Sequence, residues 1–397
     1  MVTIKALDEI RPEDLWREMK PAKDEFWQDL QEKQRRLVKS LLEGALEAEM
    51  TVLLEAGRYR RTETRRGRRN GFYERDLVTQ YGIVTAIRVP RAREGEVERS
   101  VFSAYKRRQA QVDLLIREIF LAGVSTRRVG ETLESLLGAP VSAQTVSRVA
   151  KGLDREVQRF HEETLEDDLQ YLFLDGVSMR LKVAGGVKRR MVLCAYGISL
   201  QGERRLLDFR LHDSESQASW EAFLSQLRER GLLGKHLRLI ATDGASGLHA
   251  ALQTVYPYVA RQRCWAHKLR NVANLLKRSQ QQECLEGARK IYQAETRQAA
   301  IKAYWDWARL WEHEAPRAIE CLRKDLHELL SFFACPQEHW RKVRTTNVIE
   351  RCFREVRRRT RPMTCFNNDR SCERIIYAVV SHLNNSWKDR SLWKFTH

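Results

Sequence analysis

The sequence has no run of 18 or more apolar residues, so no segment of it is long enough to cross a bilayer as a helix. Its first residues, MVTIKALDEIRPEDLW, hold no apolar signal core, and a cytoplasmic location is expected, with no membrane partner. Paired cysteines are missing too. The eight present (Cys194, Cys264, Cys284, Cys321, Cys335, Cys352, Cys365 and Cys372) form no C-x-x-C pair, and none lies in the first 193 residues. That excludes a zinc ribbon and a disulfide framework, and most of them read as small buried hydrophobes. Acid is short relative to base: 71 Lys and Arg stand against 53 Asp and Glu, a net charge of +18. A hydrophobic fraction of 43% with a full set of aromatics excludes a disordered basic tail, and 397 residues suffice for two or three domains with cores of their own.

The positive charge is concentrated. Arg58 to Arg69 carries seven Arg and one Glu, and Arg341 to Arg361 carries nine basic residues and two Glu, so 33 residues hold +13 of the +18. A solvated charged face mixes its signs, whereas a concentrated basic stripe fits phosphate, so nucleic acid is the expected partner. In the first cluster Arg65, Arg66, Arg68 and Arg69 are candidate contacts, although a disordered basic arm has the same composition.

Residues 1–57 read as helical, with Leu37, Leu41, Leu42 and Leu46 at helical spacing for packing or self-association. After the Arg-rich connector, within 58–110, DLVTQYGIVTAIRVPRAR predicts a short hairpin around Gly82 that Pro90 stops. Residues 111–165 suggest a helix-turn-helix. Ser125 caps a helix with Val129, Leu133, Leu136 and Leu137 apolar, Gly138 to Pro140 make the turn, and Ser142 caps a second helix exposing Gln144, Arg148 and Lys151. Any αα-hairpin shares this pattern.

From Tyr171 the period changes to that of strands. YLFLDGVSMRLKV, RRMVLCAYGISL and RRLLDFRLH predict an antiparallel meander, followed by an amphipathic helix with Trp220, Phe223, Leu224 and Leu227 inward. A buried strand (HLRLIATDG), a helix and a short strand (YVARQRC) then complete a mixed α/β sheet. Residues 268–340 read as wholly helical, with Trp305, Trp307, Trp311, Phe332, Phe333 and Trp340 as their core; stacking on DNA bases is the other use for such rings. The sheet domain is thus expected to comprise 166–267 and 341–397, interrupted by a helical insertion.

Two aspartates are expected at strand ends, each before a glycine: Asp175 in LFLDG and Asp243 in LIATDG. A carboxylate there sits on a rigid element yet opens at the sheet edge, though Asp-Gly is also a common turn pair. Glu350 is the third candidate. A helix beginning at Asn347 turns Val348, Ile349, Cys352, Phe353 and Val356 to one side and Glu350, Arg354, Arg357, Arg358 and Arg361 to another. Asn347 and Glu350 also have capping-box spacing. A lone acid followed by four bases suits a carboxylate holding a metal at a phosphodiester while guanidinium groups grip flanking phosphates. Three carboxylates suit Mg²⁺ or Mn²⁺, and two such ions support in-line displacement at phosphorus.

The strings LFLDGV, LIATDGASGL, RQRCWAHKLRNV and TTNVIERCFREVRRRTRPM, in that order, resemble the mutator-type insertion-sequence transposases of bacteria. RRNGFYERDLVTQYG, VPRAR, VSTRRV and VSAQTVSRV resemble that family's N-terminal half, so the likeness covers nearly the whole chain. The resemblance implies a ribonuclease-H-like catalytic domain whose DDE triad maps onto Asp175, Asp243 and Glu350. It also implies an all-helical insertion between the second Asp and the Glu, and a copy-out, paste-in route through a circular DNA intermediate. The implied partner is double-stranded DNA, both element ends and target, handled by at least a dimer. Arg357 matches the place of a DNA-binding Lys or Arg in such enzymes. Cys264 and His267 match the family's C-x-x-H signature; zinc is disfavoured there because two further ligands of suitable spacing are missing, leaving packing near the active site or DNA contact. Lys268, Arg270 and Asn271 follow directly and are expected at phosphate. A junction resolvase with the same metals but no joining step, or a DNA-binding regulator with an inactive catalytic domain, are the alternatives.

Overall fold

The computed structural model describes residues 23–60, 62–93, 107–122, 124–360, 366, 368–388 and 390–392. Its contacts divide the chain into two units, 1–151 and 152–397.

In the first unit a long helix, α1 (Lys23–Leu54), packs on a hairpin of β1 (Arg69–Thr79) and β2 (Gly82–Ala92). The buried stripe of α1 is Leu46, Met50 and Leu54, continued by the partly buried Val38 and Leu42. It follows i, i+4 spacing, which leaves Leu37 and Leu41 of the expected face exposed. Leu46 meets Leu77, Val84, Ile87 and Val89 of the hairpin. The expectation that Pro90 stops the hairpin is corrected. β2 pairs Pro90 with Phe72 and continues to Ala92, which a two-stranded sheet permits because both its strands are edges.

Three short helices follow, α2 (Ala110–Leu121), α3 (Thr126–Leu137) and α4 (Ala143–Lys151), around a core that includes Val112, Ile116, Val129, Leu133, Leu137 and Val146. Ser125 caps α3 by accepting the Arg128 N–H, and Ser142 accepts from Thr145 N at 3.2 Å at the start of α4. Leu136, expected in the core, is 66% exposed because Leu133 and Leu137 already fill the inward face.

The second unit begins with α5 (Asp154–Glu162) and is built on a five-stranded sheet. β3 (Leu169–Val183), β4 (Gly186–Ser199) and β5 (Arg204–His212) form the expected antiparallel meander. α6 (Gln217–Glu229), β6 (Leu239–Thr242), α7 (Ser246–Val255) and β7 (Ala260–Arg263) come next, with β6 and β7 parallel to β3, in the order β5-β4-β3-β6-β7. Alternation decides which side chain goes where: Leu172 and Leu174 meet Trp220, Phe223 and Leu248 of α6 and α7, whereas Tyr171 and Phe173 face the other layer.

That other layer holds a run of helices, α8 (Trp265–Asn274), α9 (Arg278–Gln293), α10 (Arg297–Trp311), α11 (Pro316–Lys324), α12 (Leu326–Leu329) and α13 (Trp340–Val343). It is completed by α14 (Asn347–Thr360) and α15 (Asp369–Trp387). Trp307, Trp311 and Phe332 are buried and Phe333 and Trp340 partly so, as expected of a helical core, while Trp305 is 55% exposed. The architecture is mixed α/β with a helical N-terminal region. Among the described residues no helix is long and apolar enough to cross a membrane.

Candidate active site

β3 and β6 set the geometry. They run parallel with Phe173 opposite Ala241 and Leu174 opposite Thr242, the last pair before β6 ends. The next residues are Asp175 and Asp243. Asp175 shares its face of β3 with Tyr171 and Phe173, and Asp243 follows the same alternation after Leu239 and Ala241, so register alone brings both to one level on one side of the sheet. Asp175 does not end its strand, contrary to expectation: β4 keeps pairing with β3 as far as Val183. What ends beside Asp175 is its neighbour β6, and the sheet opens there. Asp243 accepts the Ala245 N–H at 2.9 Å, which turns the chain into α7.

Glu350 reaches the site from α14, which buries Ile349, Cys352, Phe353 and Val356 against the core and leaves Val348 half-buried. Burial of an apolar side chain of that size is worth about 1.5–3 kcal/mol, enough for this one face to set the rotation of the helix. The helix begins at Asn347 itself, one residue too early for Asn347 to be the cap of a capping box with Glu350, and Glu350 has other partners. Its Oε1 accepts from Arg270 Nη2 at 3.1 Å and lies 3.3 Å from His267 Nε2.

The C-x-x-H pair is part of this site. Cys264 immediately precedes α8 and its N–H bonds to the Thr242 carbonyl at 2.7 Å, next to Asp243. Its sulfur accepts the Thr346 N–H at 3.2 Å, and the Thr346 hydroxyl donates to Asp175 Oδ2 at 3.2 Å and lies 3.4 Å from His267 Nδ1. Cys264 and Thr346 therefore pin the start of α14 to the ends of β6 and β7. Electrostatics reinforce the link. The hydrogen bond with Cys264 pushes His267 up to about 9, against the opposing effect of burial, with Asp175 and Asp243 adding to the rise. Burial pushes the Cys264 thiol up, but His267 and Thr346 outweigh it and leave the thiol below its ordinary value. Asp175, only 4% exposed, is pushed up to about 7 by burial, with help from Asp243 and Glu350 and opposition from His267 and the Thr346 hydroxyl.

Asp175, His267, Arg270, Glu350, Arg354 and Arg357 line one cleft of about 420 Å³. As they stand, no three His, Cys, Asp or Glu side chains among the described residues enclose a metal position, and Glu350 is engaged by His267 and Arg270. The donor chemistry nevertheless fits a hard divalent cation. The groups are carboxylate oxygens, and the buried Asp175 gains a charge at neutral pH only at a cost that a nearby cation removes.

Comparison with known proteins gives the family. The family model described as Transposase, Mutator family, matches residues 13–390. The chain belongs to the Mutator family of transposases. It is 34% identical over 355 residues to the transposase for insertion sequence element ISRM5 of Rhizobium meliloti, covering 89% of this chain and 88% of that one. The transposase for element IS406 of Burkholderia multivorans is 35% identical over 350 residues, 87% of this chain and 89% of its own. That for IS905 of Lactococcus lactis is 30% identical, with 90% of each chain covered.

For this family member the expected DNA contacts fall into distinct groups. Arg270, Arg354 and Arg357 line the cleft with Asp175 and Glu350, and Arg270 is paired with Glu350. Arg358 is exposed and pairs with Glu355 at 2.8 Å, Asn271 is exposed on α8, and Arg361 lies outside the described residues. Lys268 is a correction: it is buried, its ammonium bonded to Asp325 and to the Cys321 carbonyl, so its charge is spent inside the helical layer. In the first unit Gln144 and Arg148 are exposed on α4. Arg69 is also largely withdrawn, holding Glu47 at 2.7 Å and Thr51 at 2.9 Å, and so joins hairpin to α1. Arg66 pairs with Glu55 at 2.7 Å, Arg65 donates to the Gly67 carbonyl, and Arg68 is exposed.

Two residues of the site escaped the sequence reading. Thr346 had no signal beyond standing one residue before Asn347. Glu215, next to the Ser216 cap of α6, accepts from Trp220 Nε1 at 3.3 Å. Its carboxylate lies so close to the backbone after Asp175 that a Cβ on Gly176 would sit 2.6 Å from Oε1. Burial, then Asp243, raises its pKa. A side chain at Gly176 would have to push the Glu215 carboxylate aside, a close approach that a lone Glu in a loop does not announce.

Proposed function

We propose that the protein is a DDE transposase of an insertion sequence, which nicks DNA at the element ends and transfers the freed 3′-OH to target DNA. The observation that carries this reading is the β3–β6 register, which puts Asp175 beside Asp243 while α14 presents Glu350 to the same cleft. The sheet order β5-β4-β3-β6-β7, with three antiparallel strands and two parallel ones, is the arrangement expected of a ribonuclease-H-like domain and supports that reading of the fold.

Asp175, Asp243 and Glu350 would hold Mg²⁺ or Mn²⁺, as a pair of ions. When bound, such ions activate the attacking oxygen and stabilise the leaving one. The chain's own groups do the rest. Arg354 and Arg357 grip phosphates on either side of the scissile bond, holding it against the acids that would otherwise repel it. His267 and Arg270 hold Glu350 in place, and Thr346 orients Asp175 through its hydroxyl. The exposed face of α4, with Gln144 and Arg148, reads the terminal inverted repeats, and pairing two ends calls for at least two copies of the chain.

The test is Asp243→Asn. Joining of a pre-cut 3′-OH end to plasmid in Mg²⁺ should vanish while binding of end DNA, followed by gel shift, survives. Joining by the variant would overturn the assignment, and cleavage without any joining by the unaltered protein would make it a resolvase-like nuclease.

A further inference from the structure

The basic residues from Arg341 to Arg358 do not form one stripe. Around α14, Glu350, Phe353, Arg354 and Arg357 line the cleft that holds Asp175, whereas Asn347, Val348 and Arg351 line a second and larger one of about 770 Å³. At about 100° per residue these two sets lie on different sides of the helix. The second cleft collects Arg204, Arg341, Lys342, Arg344 and Arg351 against a single acid, Glu338.

The wall of this cleft is built. The Arg344 guanidinium lies 4.5 Å from the Tyr292 ring centroid and donates to the Tyr292 carbonyl at 2.9 Å, and Tyr292 packs on Trp265 at 4.9 Å. Arg204 is held over the Trp387 ring. Arg341, Lys342 and Arg351 are exposed at its edge. The two clefts are joined through the segment before α14: Arg344 and Thr345 line the second, and Thr346 bonds Asp175 in the first.

We propose that this second cleft holds the phosphate backbone of a second DNA segment, the target, while Arg354 and Arg357 hold the element end. The inference rests on the transposase reading above. A joining reaction brings two polyanions to one group of acids, and each needs its own cationic track; five bases to one acid in a cleft that borders the catalytic helix supply the second. Burial lowers the pKa of Arg344, with Arg341 adding like-charge repulsion, so an anion in the cleft relieves a cost already present.

The experiment uses the full chain with Arg341→Glu and Lys342→Glu together, on α13 and away from the acids. Protein first saturated with DNA from the element end is titrated with a labelled duplex of unrelated sequence, and fluorescence anisotropy is read across a range of salt. The double variant should bind the second duplex at least tenfold more weakly, with a salt slope shallower by about two, one unit per lost phosphate contact. End binding and the thermal unfolding midpoint should be unchanged, and Arg341→Lys with Lys342→Arg should restore the second binding. Unchanged binding of the second duplex, or an equal loss of end binding, would overturn the proposal. The transposase reading is judged separately, by whether the unaltered protein joins DNA at all.

Discussion

Asp175 has little contact with water, and its neighbours are two further carboxylates, one protonated histidine and one hydroxyl. Ordinary aspartate ionises near 3.9, whereas here the proton is held to about 7. The folded protein therefore binds a proton that the unfolded chain releases, and without metal it should lose stability as pH rises from about 4 to about 7, with no further loss above. Asp175→Asn escapes this cost. It should stabilise the metal-free protein at pH 8 by up to about 4 kcal/mol and have little effect near pH 4, by urea unfolding. Added Mn²⁺ should reverse the order at pH 8, raising the midpoint of the unaltered protein only. A substitution that destabilises equally at both pH values would show that the carboxylate is not held in this way.

At the scale of elements, close approach of backbones decides more than propensity. Gly130 lies in the middle of α3, where glycine costs about 1 kcal/mol relative to alanine. A Cβ there would sit 2.2 Å from the Val141 carbonyl oxygen, in the turn that leads into α4. Because the obstacle is backbone, relief requires α3 and α4 to separate. Gly130→Ala should destabilise the first unit by about 1–3 kcal/mol despite its better helix propensity, and should weaken end binding with it. Thermal unfolding followed alongside gel shift checks both, and a stabilised variant would contradict the packing described. The reverse logic holds at α14, whose apolar face was legible from spacing alone and whose rotation follows from it.

For the whole molecule, a charge of +18 coexists with a cleft that brings carboxylates to the same polyanion. Cations away from the acids attract DNA, and divalent metal is needed only where phosphate meets carboxylate. Binding of end DNA should therefore persist in EDTA and fall steeply with monovalent salt, by about 0.9 in logarithmic slope for each phosphate neutralised. Cleavage should require Mg²⁺ or Mn²⁺ at every salt concentration. A flat salt response, or cleavage in EDTA, would separate the positive charge from DNA handling.

Periodicity and motif order determined much of this protein by themselves. Strand alternation, the caps Ser125 and Ser142 and the apolar face of α14 were all readable, because each depends on residues near one another in sequence. Tertiary structure decided the rest. Only the pairing of β3 with β6 sets Asp175 level with Asp243, only the fold brings Glu215 to Gly176 and Thr346 to Asp175, and only packing spends Lys268 on Asp325 and Arg69 on Glu47. A side chain's charge is written in the sequence. Whether that charge meets solvent, a buried partner or DNA depends on contacts between residues far apart along the chain, and local spacing carries no record of them.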